Sequence, residues 1–236
     1  MNILALVKDN SFFYCLYLCK ISFGLDKFNK LIFFEMNNLI IYAHPKTKGF
    51  CPYILSELTK ELEAKKVKYE VLDLYKMKYD PILLEKELYT AGADHKNISK
   101  VNLKIQSQIK KAKNLFFIFP VWWNSVPAIL KGFFDKVLTS PFAYSFSKRG
   151  MPVGHIKGKR AYLFVTFGGP AIASKFLSGD RAVKVVTKDT LGFCGIKCCV
   201  NNVYSARNLD EKRKEEIKKK RVNGQFYVGD LKKEVQ

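Results

Sequence analysis

The stretch FFIFPVWWNSVPAILKGFFDK, Phe116 to Lys136, decides the fold. Extended back to Asn114, its first half (NLFFIF) is the continuous apolar run of a strand covered on both faces. Its second half places Val126, Ile129, Leu130, Phe133, Phe134, Val137 and Leu138 at the i, i+3, i+4, i+7 spacing of an amphipathic helix, and Ser125 with Pro127 predicts a cap and a first-turn proline. Between them Pro120-Val121-Trp122-Trp123-Asn124 sets both tryptophans of the chain at the end of a buried strand, where they cannot easily complete a core.

The same alternation runs outward in both directions. LIIYA (Leu39 to Ala43) reads as a first buried strand, and Ile54, Leu55, Leu58 and Leu62 as the helix after it. YEVLDLY (Tyr69 to Tyr75) alternates as a second strand, followed by an irregular surface insertion ending at Gly92 and a helix through Val101, Ile105, Gln108 and Ile109. Beyond the central stretch lie an irregular loop rich in glycine and aromatic residues, a fourth strand RAYLFVTF (Arg160 to Phe167), and a helix marked by Ala182, Val185, Val186 and Leu191. IKCCVNNVY (Ile196 to Tyr204) gives a fifth strand and LDEKRKEEIKKK a charged closing helix. Strands alternating with covering helices define an α/β doubly wound parallel sheet in three layers, and five of them point to the flavodoxin-like order 2-1-3-4-5. The domain is expected over residues 36–222, with residues 1–35 as an extension and 223–236 as a tail. The apolar SFFYCLYLC (Ser11 to Cys19) is too short to span a bilayer, so the extension is either an upstream start or a membrane-surface anchor.

Composition narrows the class. With 236 residues, 48% of them hydrophobic, the chain can bury a sizeable core. The net charge of +20 permits attraction to nucleic acid, anionic lipid or a phosphorylated ligand, but Arg occurs only six times. A nucleic-acid reader would use more guanidinium forks, and no groove helix or stacking strand is apparent, so no nucleic-acid partner is expected. Membrane association is expected to be peripheral at most. Six cysteines without a disulfide framework imply a reducing cytoplasm, and Cys194, Cys198 and Cys199 lack the second ligand pair that zinc requires, so no metal is expected.

In such sheets ligands bind beyond the carboxyl ends of the strands. Three loops should meet there. The first, His44 to Phe50, leads into a helix whose N–H groups and dipole favour a phosphate, with Lys46, Thr47 and Lys48 adding charge and a donor. The second offers Trp122 and Trp123 as surfaces for a flat heteroaromatic. The third, Thr166-Phe167-Gly168-Gly169, removes side chains where a ligand approaches the main chain. Together they argue for a flavin or another flat phosphorylated cofactor.

The motifs IIYAHPKTKGF, FPVWWNSVPAILKGFFDKVL, FAYSF and VTFGGP resemble the flavodoxin-like NAD(P)H:quinone oxidoreductases, the DT-diaphorase-like family related to FMN azoreductases. The resemblance implies a homodimer with bound FMN or FAD, and two-electron ping-pong hydride transfer from NADH or NADPH to a quinone or similar acceptor. It further implies flavin contacts from His44 and Phe50, from the backbone of Pro120, Val121, Trp122, Trp123 and Asn124, and from Thr166, Phe167, Gly168 and Gly169. From the residues themselves, Tyr144 and His155 are candidates to border the acceptor pocket, the alternative being that Phe142, Tyr144 and Phe146 pack their loop against a partner subunit. Gly49 and Cys51 replace polar residues of the family pattern, and Pro170 to Asp180 lacks the Tyr and His that assist the reduced flavin in some relatives, so no acid-base residue is assigned. A flavodoxin-type electron carrier and a non-catalytic flavin-binding regulatory subunit are the alternative classes.

Overall fold

The computed structural model describes residues 37–88 and 97–222. The expected extension, the end of the insertion at Gly92 and the expected tail lie outside the described residues. Five parallel strands, β1 (Asn37–Tyr42), β2 (Tyr69–Asp73), β3 (Ala112–Pro120), β6 (Arg160–Thr166) and β7 (Lys197–Val203), form one sheet in the order β2-β1-β3-β6-β7. Counted over these five alone, that is the order 2-1-3-4-5 read from the sequence.

The apolar runs alternate between two cores. From β1, β3 and β6, the side chains of Leu39, Ile41, Leu115, Phe117, Phe119, Leu163 and Val165 enter one cluster, while Ile40, Tyr42, Phe116, Ile118, Tyr162 and Phe164 enter the other. A period of two with both sets buried is what a parallel sheet sandwiched by helices demands. Helices α1 (Phe50–Ala64) and α5 (Glu211–Val222) cover the second cluster through Ile54, Leu58, Leu62 and Ile217. Helices α2 (Lys100–Lys111) and α3 (Ala128–Val137) cover the first through Ile105, Ile109, Leu130, Phe133 and Phe134. Three layers result.

Several local expectations are corrected. Val101, expected on the buried face of α2, is 52% exposed, because Asn102 and Gln106 turn inward to bond Tyr79 Oη, the Val137 carbonyl and Thr139. Helix α3 starts two residues late: Pro127 is its cap position, and Ser125 instead closes a turn with Trp122. The helix marked by Ala182 and Val186 begins as α4 (Arg181–Lys184) and widens into π-helical turns over Val185–Gly192. That widening explains the five-residue step between buried Val186 and buried Leu191 and leaves Val185 exposed. The glycine-rich loop contains an antiparallel hairpin, β4 (Tyr144–Phe146) and β5 (Pro152–Gly154).

The described part of the insertion is anchored rather than draped over the surface. Tyr79 is buried and donates to Asn102 Oδ1 at 2.9 Å, and Pro81 packs where Gly132 of α3 has no side chain. Lys136 Nζ, 6% exposed, donates to the Ile82 carbonyl at 2.8 Å and lies 3.1 Å from Glu87 and 3.6 Å from Asp80. A buried ammonium is tolerated only with such partners, so these contacts hold Tyr79 to Glu87 on the α2–α3 layer.

Candidate functional site

Three strands deliver their following loops to one edge, and hydrogen bonds tie those loops together. The amide of Val121 donates to the Thr166 carbonyl at 2.8 Å, continuing the β3–β6 ladder beyond its last pair. Cys51 Sγ lies 3.3 Å from Thr166 Oγ1, joining the start of α1 to the end of β6. The rings of His44 and Trp122 approach to 6.2 Å between centroids, joining the first loop to the second.

The first loop is a set of unengaged donors. Gly49, at φ +118°, turns the chain into α1 and does so without a capping side chain. The first helical bond runs from Tyr53 to the Gly49 carbonyl at 3.1 Å. Among the described residues, the amides of Thr47, Lys48, Gly49, Phe50 and Cys51 therefore find no acceptor. Five successive amides at a helix start, with the exposed side chains of Lys46 and Lys48 alongside, are an arrangement of donors and positive charge that suits an anion. His44 Nδ1 accepts from the Lys46 amide at 3.0 Å, which fixes the ring orientation and the neutral tautomer with its proton on Nε2. Burial, joined by the charge of Lys46, outweighs that bond and holds its pKa below the usual histidine value.

The second loop is a tight, strained turn. Trp122 and Ser125 exchange both backbone bonds, at 3.0 and 2.9 Å, and the two residues between them stand at positive φ, Trp123 at 49° and Asn124 at 58°. Both central residues in the left-handed region make a type I′ turn, which glycine and asparagine suit and tryptophan does not. Its indole is nonetheless 102% exposed, and Trp122 is 39% exposed. The amides of Trp123 and Asn124 also lack acceptors among the described residues.

The third loop is held from behind by a segment the sequence did not single out. The carbonyls of Phe167, Gly168 and Gly169 accept respectively from the Ala206 amide (2.8 Å), Arg207 Nε (3.0 Å) and the Ser205 amide (2.8 Å). With the carbonyls drawn back, the amides of Gly168 and Gly169 are left without acceptors among the described residues, and a Cβ added at either would meet nothing within 4 Å. The signal available in the sequence was position alone, since Ser205 to Arg207 leave the fifth strand at the same edge.

Not every expected residue presents its side chain. Phe50 is buried with the Arg213 guanidinium over its ring at 5.6 Å, and Phe167 is buried and stacked on Tyr204 at 4.9 Å. The Thr166 hydroxyl is turned to Cys51, whose burial pushes its thiol up to about 11. These three support the loops from beneath. Pro120 is buried at the end of β3. Tyr144 and His155 are not brought to this edge. Tyr144 packs on Phe193 at 4.9 Å, His155 bonds Ser145 at 2.8 Å, and Ile156 bonds the Cys194 carbonyl just ahead of β7, at the opposite end of the sheet.

A parallel sheet of this order, with donor-lined loops and two exposed tryptophans gathered at its carboxyl edge, has the doubly wound α/β architecture whose ligands bind at that edge. The chain belongs to the family described as Flavodoxin-like fold, which matches residues 36–223. An uncharacterized NAD(P)H oxidoreductase of Haemophilus influenzae is 32% identical over 69% of this chain and 80% of its own length. NAD(P)H dehydrogenase [quinone] 1 of Cavia porcellus is 34% identical over 67% of this chain, which spans 64% of that longer relative. The crystal structure of Smu.1420 from Streptococcus mutans UA159 superimposes with a TM-score of 0.70 at 30% identity, over 82% of this chain and all of the other.

Proposed function

We propose that residues 36–222 form a flavin-binding domain that oxidises NADH or NADPH and reduces a quinone or a similar two-electron acceptor. The supporting observation is the coincidence at one edge of nine amides without acceptors, from Thr47 to Cys51, at Trp123 and Asn124, and at Gly168 and Gly169, around a fully exposed tryptophan on a strained turn. A flavin mononucleotide half has the matching parts: a phosphate for the first loop, a flat ring for the second and a carbonyl-bearing ring edge for the other amides. The names of the relatives agree with this chemistry.

A bound flavin supplies a carrier that takes a hydride from the reduced nicotinamide and passes two electrons on, so that NAD(P)H, a quinone and one proton become NAD(P)⁺ and a hydroquinone. The chain's own work is placement. Lys46, Lys48 and the amides of Thr47 to Cys51 would hold the phosphate. The Trp122-to-Ser125 turn and the Gly168–Gly169 pair would orient the ring, and their amides would stabilise negative charge developing on it. No side chain at the edge is assigned a proton-transfer step.

A homodimer is part of this reading: Tyr144 and His155 lie away from the edge of their own chain, so if they border an acceptor they do so on a second copy. Among the described residues Cys51, Cys194, Cys198 and Cys199 are free thiols, in keeping with a reducing cytoplasm. No helix among the described residues is long and apolar enough to cross a membrane. The test is anaerobic: the yellow protein should bleach with NADH or NADPH and recover its colour on addition of a quinone, releasing hydroquinone. Protein that takes up neither FMN nor FAD would overturn the assignment.

A further inference from the structure

The amino edge of the sheet, opposite the candidate site, is rich in basic residues. We propose that this face docks on an anionic lipid surface, independently of the reaction at the other edge. The strand register aligns Asn38 with Tyr69 and Asn114, Asn114 with Arg160, and Arg160 with Lys197, so Lys68, Lys113, Arg160 and Lys197 fall in a row across the strand starts. At a strand spacing of about 4.8 Å, five strands make a face roughly 20 Å wide. Five exposed lysines, Lys66, Lys110, Lys111, Lys157 and Lys197, stand at or just before the starts of β2, β3, β6 and β7, and none is in an ion pair among the described residues. Two carboxylates lie near these strand starts, Glu63 accepting from the Tyr69 hydroxyl and Glu70 from the Gln108 amide, each at 2.6 Å, and the five lysines outnumber them.

Two features favour lipid over nucleic acid. The named basic residues of this face are all lysine but for Arg160, and lysine is a hydrated point charge suited to a diffuse anionic plane rather than to base or bidentate phosphate recognition. Trp122, Trp123 and Phe176 lie toward the opposite edge, so of the exposed large aromatics among the described residues only Phe146 of the hairpin stands near this face, too few for successive bases to stack. The connections into β2, β3 and β7 are short, and the longer one into β6 carries the β4–β5 hairpin at this edge. Docking here keeps the carboxyl edge facing the water, open to soluble donors and acceptors.

The test is cosedimentation of the full chain with vesicles of phosphatidylcholine alone or mixed with phosphatidylglycerol. Binding should require phosphatidylglycerol and be lost as salt shortens the Debye length from about 10 to about 3 Å. Each lysine at such a surface is worth about fivefold in partitioning, so Lys110→Glu, Lys111→Glu, Lys157→Glu and Lys197→Glu combined should weaken it more than 100-fold. A control with the same change in net charge, Lys104→Glu, Lys188→Glu, Lys212→Glu and Lys219→Glu, should retain most of it. Thermal melting and flavin content establish that both variants are folded, and the salt dependence of the unaltered chain reads the same effect without substitution. Equal losses in the two variants, equal binding to phosphatidylcholine alone, or preferential binding to polyuridylate would each overturn the proposal.

Discussion

At the amino ends of the strands, α1 returns to β2 through four residues and α2 runs into β3 with none, whereas at the carboxyl ends seven residues separate β1 from α1 and seven separate β3 from α3. Both edges use left-handed backbone, but to different ends. Lys66 at φ 55° closes a helix terminus in which the amides of Lys66 and Val67 return to the carbonyls of Glu63 and Leu62, at 2.9 and 2.8 Å. Gly195 at φ 87° does the same, with its amide and that of Ile196 returning to Gly192 and Leu191 at 2.9 and 3.0 Å. Trp123 and Asn124 take the same conformation and leave their amides without acceptors among the described residues. The difference teaches that a positive φ marks a site only where the donors it exposes stay unsatisfied.

The sharpest separation of folding from binding is expected at Lys136. Replacing it by Met leaves the Glu87 carboxylate and the Ile82 carbonyl without their partner and should cost about 3 to 5 kcal/mol in urea unfolding, with flavin affinity of the folded fraction unchanged. Gly169→Val should do the reverse. No protein atom stands near its added Cβ, so the melting temperature should hold while flavin binding weakens about 100-fold. A melting temperature that falls with it would mean that the open space is structural. Trp123→Gly should weaken flavin binding about tenfold and stabilise the apoprotein by about 1 kcal/mol, since glycine adopts the left-handed turn without strain.

The smallest effect concerns His44. Its folded pKa lies below the ordinary value, so the unfolded chain binds the proton more readily. The resulting stability is complete above the ordinary histidine pKa and declines as pH falls through it toward the folded value. Urea midpoints measured between about pH 5 and 7 should show this decline, and His44→Gln should flatten it. A steeper decline in the variant would contradict the assignment.

Much of this was legible in the sequence, and what was missed has identifiable causes. The five parallel strands follow from apolar runs such as Leu39 to Tyr42 and Asn114 to Phe119, because burial on both faces leaves a pattern that the chain itself carries. The three loops of the edge followed from topology. The hairpin at Tyr144 was illegible because three-residue strands carry too little alternation. The phase of α2 was misread because Asn102 and Gln106 are buried by specific hydrogen bonds, which apolar periodicity cannot register. Arg207 was missed because its role is to hold a carbonyl of another loop, a contact without local signature.

The central claim is that a flavin lies against the Trp122–Trp123 turn, and the chain provides its own reporter, since these are its only tryptophans. Titration of the apoprotein with FMN and with FAD, followed by tryptophan fluorescence, should show saturable quenching at one flavin per chain. Flavin bound without quenching, or emission unchanged because none is bound, would contradict the account.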